Sequence, residues 1–364
     1  MREVVRAEKR APARAAAPHV RPRTLSVFWD PYQLDILPTR GGPLLTVVLT
    51  LGVLVLTVVL TLGVLGVFGT ALLRLVPVDA QWMFATLSLA PHILAGGSAL
   101  LLVALAARWW RHGVAAALAV ALLAPGVLPR ALRDAQPDAG GPPLTVASAN
   151  LYYGRADPRA VIHLVRTHQV DVLSLQELTP EAVAALEAAG LGALLPHRVF
   201  LPYHRAAGTG IASRYPLRSR PSNPHSYHFQ PTVEVTMPGT AEIELTAVHI
   251  VAPVGRIEPS EWHAELAALP AAGVGRPTRI LVGDFNATLD HQPLRAVLDT
   301  GYRDAADQAG KGLRATWPTD TPIAPVTAID HVLVDTGCAV RSFDVLPLPG
   351  SDHRALVAEI ALPR

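Results

Sequence analysis

An α/β domain rich in strands, carried behind a membrane-embedded N-terminal third, is the architecture these 364 residues encode. Three observations lead there. Charge vanishes from long stretches of the first 130 positions, a Pro/Gly-rich connector follows at 131–143, and beyond it apolar strand-like runs alternate with capped helix starts. Half of the chain is hydrophobic, only 16% is charged and the mean hydropathy is +0.31. Such a chain is too apolar to be disordered and unusually apolar for a wholly soluble protein. The single cysteine, Cys338, excludes an internal disulfide, a zinc site of four cysteines and a CxxC redox pair; it reads as a small buried hydrophobe.

Between Arg40 and Arg74 there is no charged residue, and 44–73 reads LLTVVLTLGVLVLTVVLTLGVLGVFGTALL. About 20 residues of helix cross a bilayer. The many Val and Thr would favour a strand in water, but a lone strand in hydrocarbon leaves its backbone groups unpaired, so a helix is expected. Three transmembrane helices are expected, over 44–73, 83–107 and 113–129, the last near the lower length limit. LTLGVL recurs eleven residues apart, at Leu49 and Leu60, with Thr46, Thr50, Thr57 and Thr61 between and around the copies. A helix-packing seam and plain apolar filler account for this equally well.

Lys and Arg crowd the basic tail 1–43, Arg108 and Arg111 follow the second expected span, and only Arg74 follows the first. The positive-inside rule then puts the tail in the cytoplasm and, through three crossings, the C-terminal domain outside: a multi-pass cell-membrane protein whose first partner is the lipid bilayer. Trp82, Trp109 and Trp110 sit where an interfacial aromatic belt would place them. At full extension the connector reaches no more than roughly 45 Å, so the domain at 144–364 is tethered near the headgroups.

That domain carries 18 Lys or Arg against 22 Asp or Glu, a net charge of about −4, which disfavours nucleic acid as its partner. Strands are expected at 144–149, 170–175, 209–213, 232–236, 241–250, 279–282, 328–334 and 355–362. Asp157-Pro158 opens one helix, and Thr179-Pro180-Glu181 opens another that Gly190 ends.

Six of these strands end in residues that a buried strand should not want: Asn150, Gln176-Glu177, His249, Asp284 with Asn286, Asp330, and Asp352-His353. Each alone has an ordinary reading as a turn, cap or satisfied histidine; six together point to chemistry. Carboxylates and amides with two histidines and no cysteine favour a hard cation, Mg²⁺ or Mn²⁺, over zinc. Phosphoester hydrolysis needs an activated water, a neutralised transition state and a proton for the leaving oxygen, and the set offers a candidate for each.

In this order Asn150, Gln176-Glu177, Gly283-Asp284-Phe285-Asn286, Ile329-Asp330-His331 and Ser351-Asp352-His353 resemble the endonuclease/exonuclease/phosphatase superfamily over about 144–362. RAAGTGIASRYP at 205–216 and AVHIVAP at 247–253 add to the likeness. The resemblance implies a four-layer α-β-β-α sandwich, two packed sheets flanked by helices, with the site at one end. It implies a metal shell of Glu177, Asp352, Asn150 and Asp284. It gives Asp284 the attacking water, Asn286 a phosphate oxygen, His353 with Asp330 a phosphate or proton role, and His249 a place near the leaving group. The glutamate that usually supports the histidine matching His249 is missing between Leu201 and Arg220. Trp317 matches a family position beside the substrate, whereas His331, facing the other side of its strand, reads as structural.

A span anchor before such a domain is also similar in layout to bacterial teicoplanin-resistance membrane phosphatases. The sequence thus points to a metal-dependent hydrolase of a lipid-linked or headgroup phosphoester outside the cytoplasm. A tethered extracellular nuclease is the alternative, a non-catalytic binding module a distant third, and no protein partner is expected.

Overall fold

The computed structural model describes residues 42–221, 226–273 and 277–364. Nearly all of the basic tail lies outside them, as does His225. Contacts divide the chain within its first helix, and Gly52–Arg364 form one unit.

The expectation of three spanning helices is corrected. Among the described residues only α1 (Pro43–Leu73) is by itself long and apolar enough to cross a membrane, with a mean hydropathy of 2.7 over its best window. The second expected span is broken: α2 (Gln81–Ser88) and α3 (Ala90–Ala106) meet at 64°, beside Pro91, whose ring nitrogen cannot donate to the preceding turn. The third, α4 (Trp110–Leu123), has 14 residues before the Ala124–Gly126 turn, about 21 Å against a hydrocarbon core of about 30 Å.

Val67 and Ala71 of α1 are buried with Leu94 of α3 and Ala119 and Leu123 of α4. Gly97 admits Val67, and Gly63 admits Leu100, so part of the second LTLGVL copy does lie on a seam. Thr50 and Thr57 bond carbonyls four residues back in their own helix, as does Thr61, which also meets His112 Nε2 of α4 at 3.3 Å. α2 turns away from this bundle, burying Met83 and Leu87 against Trp262, Phe285 and Leu294.

The connector is fastened to the domain. Arg133 bridges to Ala309 and donates to the carbonyls of Val340 and Arg341, both at 3.0 Å, while Gln136 Oε1 accepts from Val340 N at 2.7 Å. Fully buried Asp290 takes two hydrogen bonds of 2.8 Å from Arg130, after α4, and an ion pair of 2.7 Å from Arg74 Nε, after α1. The segments that follow α1 and α4 are therefore ion-paired to the domain.

The domain opens with β1 (Pro143–Asn150), α5 (Pro158–Thr167), capped by Asp157, and β2 (Val172–Gln176) parallel to β1. α6 (Pro180–Ala188), capped by Thr179, and α7 (Leu191–Leu194) lead to β3 (His197–Leu201) and β4 (Thr209–Ser213). Next come β5 (Leu217–Arg220), β6 (Thr232–Val235) and β7 (Ile243–His249), then α8 (Pro259–Ala267) and β8 (Thr278–Asp284) parallel to β7. α9 (Gln292–Leu298), β9 (Tyr302–Asp304), α10 (Ala305–Gln308), β10 (Asp330–Asp335), β11 (Ala339–Leu346) and β12 (Ala355–Ala361) complete it.

Two six-stranded mixed sheets result, ordered β11-β12-β1-β2-β4-β3 and β5-β6-β7-β8-β10-β9. Val146, Val172 and Ile211 of one pack with Leu245, Val282 and Val332 of the other. α5 and α6 cover the outer face of the first sheet, while α8, α9 and α2 cover that of the second. This is the expected layering, with one outer position taken by a helix from the N-terminal third.

Candidate active site at the strand ends

Strand register brings the polar residues together. Asn150 pairs with Gln176 across β1–β2, and Asp284 is in register with both His249 across β7–β8 and Asp330 across β8–β10. Gly283 allows the approach: at φ 152° a Cβ there would lie 1.9 Å from the Val248 carbonyl oxygen. Glu177, Asn286, Tyr152 and Tyr153 all have positive φ, between 45° and 55°, the kind of strain that gathers where side chains must be aimed.

Asp284 is the hub. Its Oδ2 accepts from Asn150 Nδ2 at 3.2 Å and lies 3.8 Å from His353 Nε2 and 4.0 Å from His249 Nε2. His353 Nδ1 meets Asp330 Oδ2 at 2.9 Å, the expected pair. Glu177 Oε2 accepts from Tyr153 N at 2.6 Å, and Asp352 takes Trp317 Nε1 at 3.2 Å. Asn286 turns inward, its amide donating to the Ile250 carbonyl at 2.9 Å, with Asp284 Oδ2 at 3.4 Å, so the hydrogens expected to meet a phosphate are engaged within the protein.

The environments drive the titrating groups apart. Burial and the Asp330 charge push the Asp284 carboxyl up to about 7. Burial alone would depress His353, but Asp330, Asp284 and Asp352 outweigh it and hold the imidazole up to about 10. His249 goes the other way, well below its ordinary value, through burial first and then the neighbouring His228 and His353. The two imidazoles that flank this single carboxyl group are thus shifted in opposite directions.

Asp284, Asp330 and His353 each offer a ligand atom within 4.8 Å of the others, so this group could hold a metal ion. His353 Nδ1 is already engaged by Asp330, however. Glu177 and Asp352 fit better. Burial, together with the charge of Asp352, raises the Glu177 carboxyl, and the shielded Asp352 Oδ1 has no hydrogen-bond partner among the described residues. Crowded carboxylate oxygens suit a hard divalent cation. Asn150 points its amide at Asp284 and its oxygen at Tyr152 N, 3.0 Å away, which makes it an orienting group.

Two participants escaped the sequence reading. His228, outside the 201–220 stretch searched for a supporting glutamate, stacks on His249 with ring centroids 3.9 Å apart. Tyr153 supplies the backbone N–H that fixes Glu177. No spacing signal marks His228; the repeated tyrosine at 152–153 beside Asn150 was the visible cue for the other. His331 is structural as expected, held by Asp304 at 2.7 Å and the Ala287 carbonyl at 2.8 Å.

Residues 147–353 match the endonuclease/exonuclease/phosphatase family. The chain belongs to this family. Its members are phosphoester hydrolases. No curated protein matches the sequence. Among solved structures, an endonuclease/exonuclease/phosphatase from Beutenbergia cavernae DSM 12333 is 18% identical, covering 61% of this chain and 72% of that one with a TM-score of 0.45. A mannosyl-6-phosphatase of Bacteroides thetaiotaomicron VPI-5482 is also 18% identical, covering 60% and 99% with a TM-score of 0.46. A D. rerio TDP2 complexed with single strand DNA product is 19% identical, covering 60% and 98%, again with a TM-score of 0.46.

Proposed function

We propose that this protein is a membrane-anchored, divalent-metal-dependent phosphoester hydrolase that acts outside the cytoplasm on a phosphate carried by a lipid. The observation that carries this reading is the Arg74–Asp290–Arg130 junction, which locks a hydrolase-family site to the end of a long apolar helix. A site held at a bilayer meets lipid phosphates at high effective concentration. One crossing by α1 leaves the domain on the same side as three would, so the arginine asymmetry still favours the outside.

Glu177 and Asp352, steadied by Asn150, would hold the cation, Mg²⁺ or Mn²⁺, with Asp284 adjoining. The ion, when bound, neutralises charge on the phosphoryl oxygens. Ionised Asp284 takes a proton from the attacking water. His353, kept as an imidazolium by Asp330, hydrogen-bonds a phosphoryl oxygen, and neutral His249 faces the leaving group.

Detergent-solubilised protein with Mg²⁺ or Mn²⁺ is offered polyprenyl pyrophosphate, bis-p-nitrophenyl phosphate and supercoiled plasmid. Phosphate release from the lipid is expected to dominate. Dominant plasmid nicking with no lipid turnover makes the protein a tethered nuclease instead.

A further inference from the structure

The mouth of the site is unusually apolar. Tyr153, Tyr203, Phe229, Val254 and Trp317 are between 37% and 54% exposed, two of them bonded to site carboxylates and the others on segments next to site residues. The Tyr153 N–H holds Glu177, Tyr203 N donates to the carbonyl of Leu178, and Trp317 donates to Asp352. Phe229 follows the His228 that stacks on His249 and meets the Tyr203 ring edge-on at 5.7 Å. Val254 lies on the loop that leaves His249. Scattered exposed apolar residues need no explanation; five around one opening do.

The same loops are fastened to the N-terminal helices. Gln81, at the start of α2, donates to the carbonyls of Gly255 and Ile257 at 3.1 and 3.2 Å. Across the mouth, Leu313, Ala315 and Val326, from the segment that carries Trp317, line one cleft with Pro91 and His92 of α3. Trp82 of α2 is 62% exposed, continuing the apolar belt outward from the Gln81 contact.

We propose that this rim is a membrane-contacting surface that dips into the bilayer interface, so that the site takes its substrate from the lipid plane and not from solution. The inference rests on the reading of the site as one acting on a lipid-borne phosphate. Amphipathic aromatic rings favour the headgroup layer. Arg155, 4.9 Å from the Tyr152 ring centroid and 5.7 Å from that of Tyr153, places a cation at the rim for anionic headgroups. The same aromatics could stack on the bases of a single strand. Val254 has no ring to stack on a base, so lipid is the better fit.

The test uses the full chain reconstituted in phosphatidylglycerol/phosphatidylethanolamine nanodiscs, with an environment-sensitive fluorophore on Val254→Cys and, separately, on Phe229→Cys. Buried Cys338 stays unlabelled, and exposed Ser342→Cys on β11 is the control. Labels at 254 and 229 are expected to emit to the blue of the control and to be quenched by brominated lipid. Emission from both matching the water-exposed control overturns the proposal, as does a blue shift that needs single-stranded DNA instead of lipid. Phosphate release from polyprenyl pyrophosphate is read on the unlabelled protein. Its loss alone refutes the substrate reading, while unquenched labels alone refute the rim.

Discussion

His353 and His249 share one carboxylate neighbour, Asp284, yet burial and charge give them opposite protonation. Asp330 holds His353 through the 2.9 Å contact to Nδ1, so the two should act largely as a unit. Asp330→Asn and His353→Ala are each expected to cut turnover of bis-p-nitrophenyl phosphate by about 10²–10⁴-fold, and the double variant to be no worse than the poorer single one. Additive losses would refute the pairing. Asp284, held up to about 7, must be ionised to accept a proton. In metal-limited enzyme the rate is therefore expected to rise with pH through about 7, and a pH–rate profile flat from 6 to 8 contradicts that role.

Among the elements, the junction of α1, α2 and α4 with the domain is the most exposed to test. Asp290→Asn leaves two shielded guanidinium groups without their counter-charge, which costs about 3–5 kcal/mol. Thermal unfolding in detergent should register this as a large fall in Tm, and an unchanged Tm means that the junction is not held by charge. His291 is buried between Phe84 of α2, with which it stacks at 4.9 Å, and Trp262. Burial lowers its pKa to about 4. Because the folded value lies below the unfolded one, near 6.5, the stabilisation is present above pH 6.5 and is lost as pH falls toward 4. Proteolysis of the α2 contact is expected to quicken over that window in the wild type and not in a His291→Phe variant.

For the whole molecule, the proposed anchoring makes the number of crossings decide the side on which the domain lies. With α1 crossing alone, a C-terminal alkaline-phosphatase fusion is active and a green-fluorescent-protein fusion dark. If the bent pair α2–α3 also crossed, both signals would reverse. Arg133 and Gln136 tie the connector to β11, so under the proposed function lengthening the chain at 137–141 is expected to matter less to lipid turnover than loosening Asp290.

Periodicity and end signals made much of this protein legible in advance. The eight strands anticipated are the inner strands of both sheets, whose apolar runs follow from burial on two faces. The four that escaped, β3, β5, β9 and β11, are the edges, where one side of the ladder is unpaired and segments such as LRSR carry no alternation. The chemistry-bearing residues were visible because carboxylates and imidazoles at the ends of buried strands have few other reasons to be there. Hydropathy alone could not tell a helix facing lipid from one packed on protein, since both demand the same apolar side chains. Pro91 and Trp262 together turned α2 onto the domain. Whether His249 leans on a carboxylate or on His228, and whether the arginines beside the helices meet headgroups or Asp290, depended on partners more than 15 residues away in sequence, and only tertiary packing brings such groups into contact.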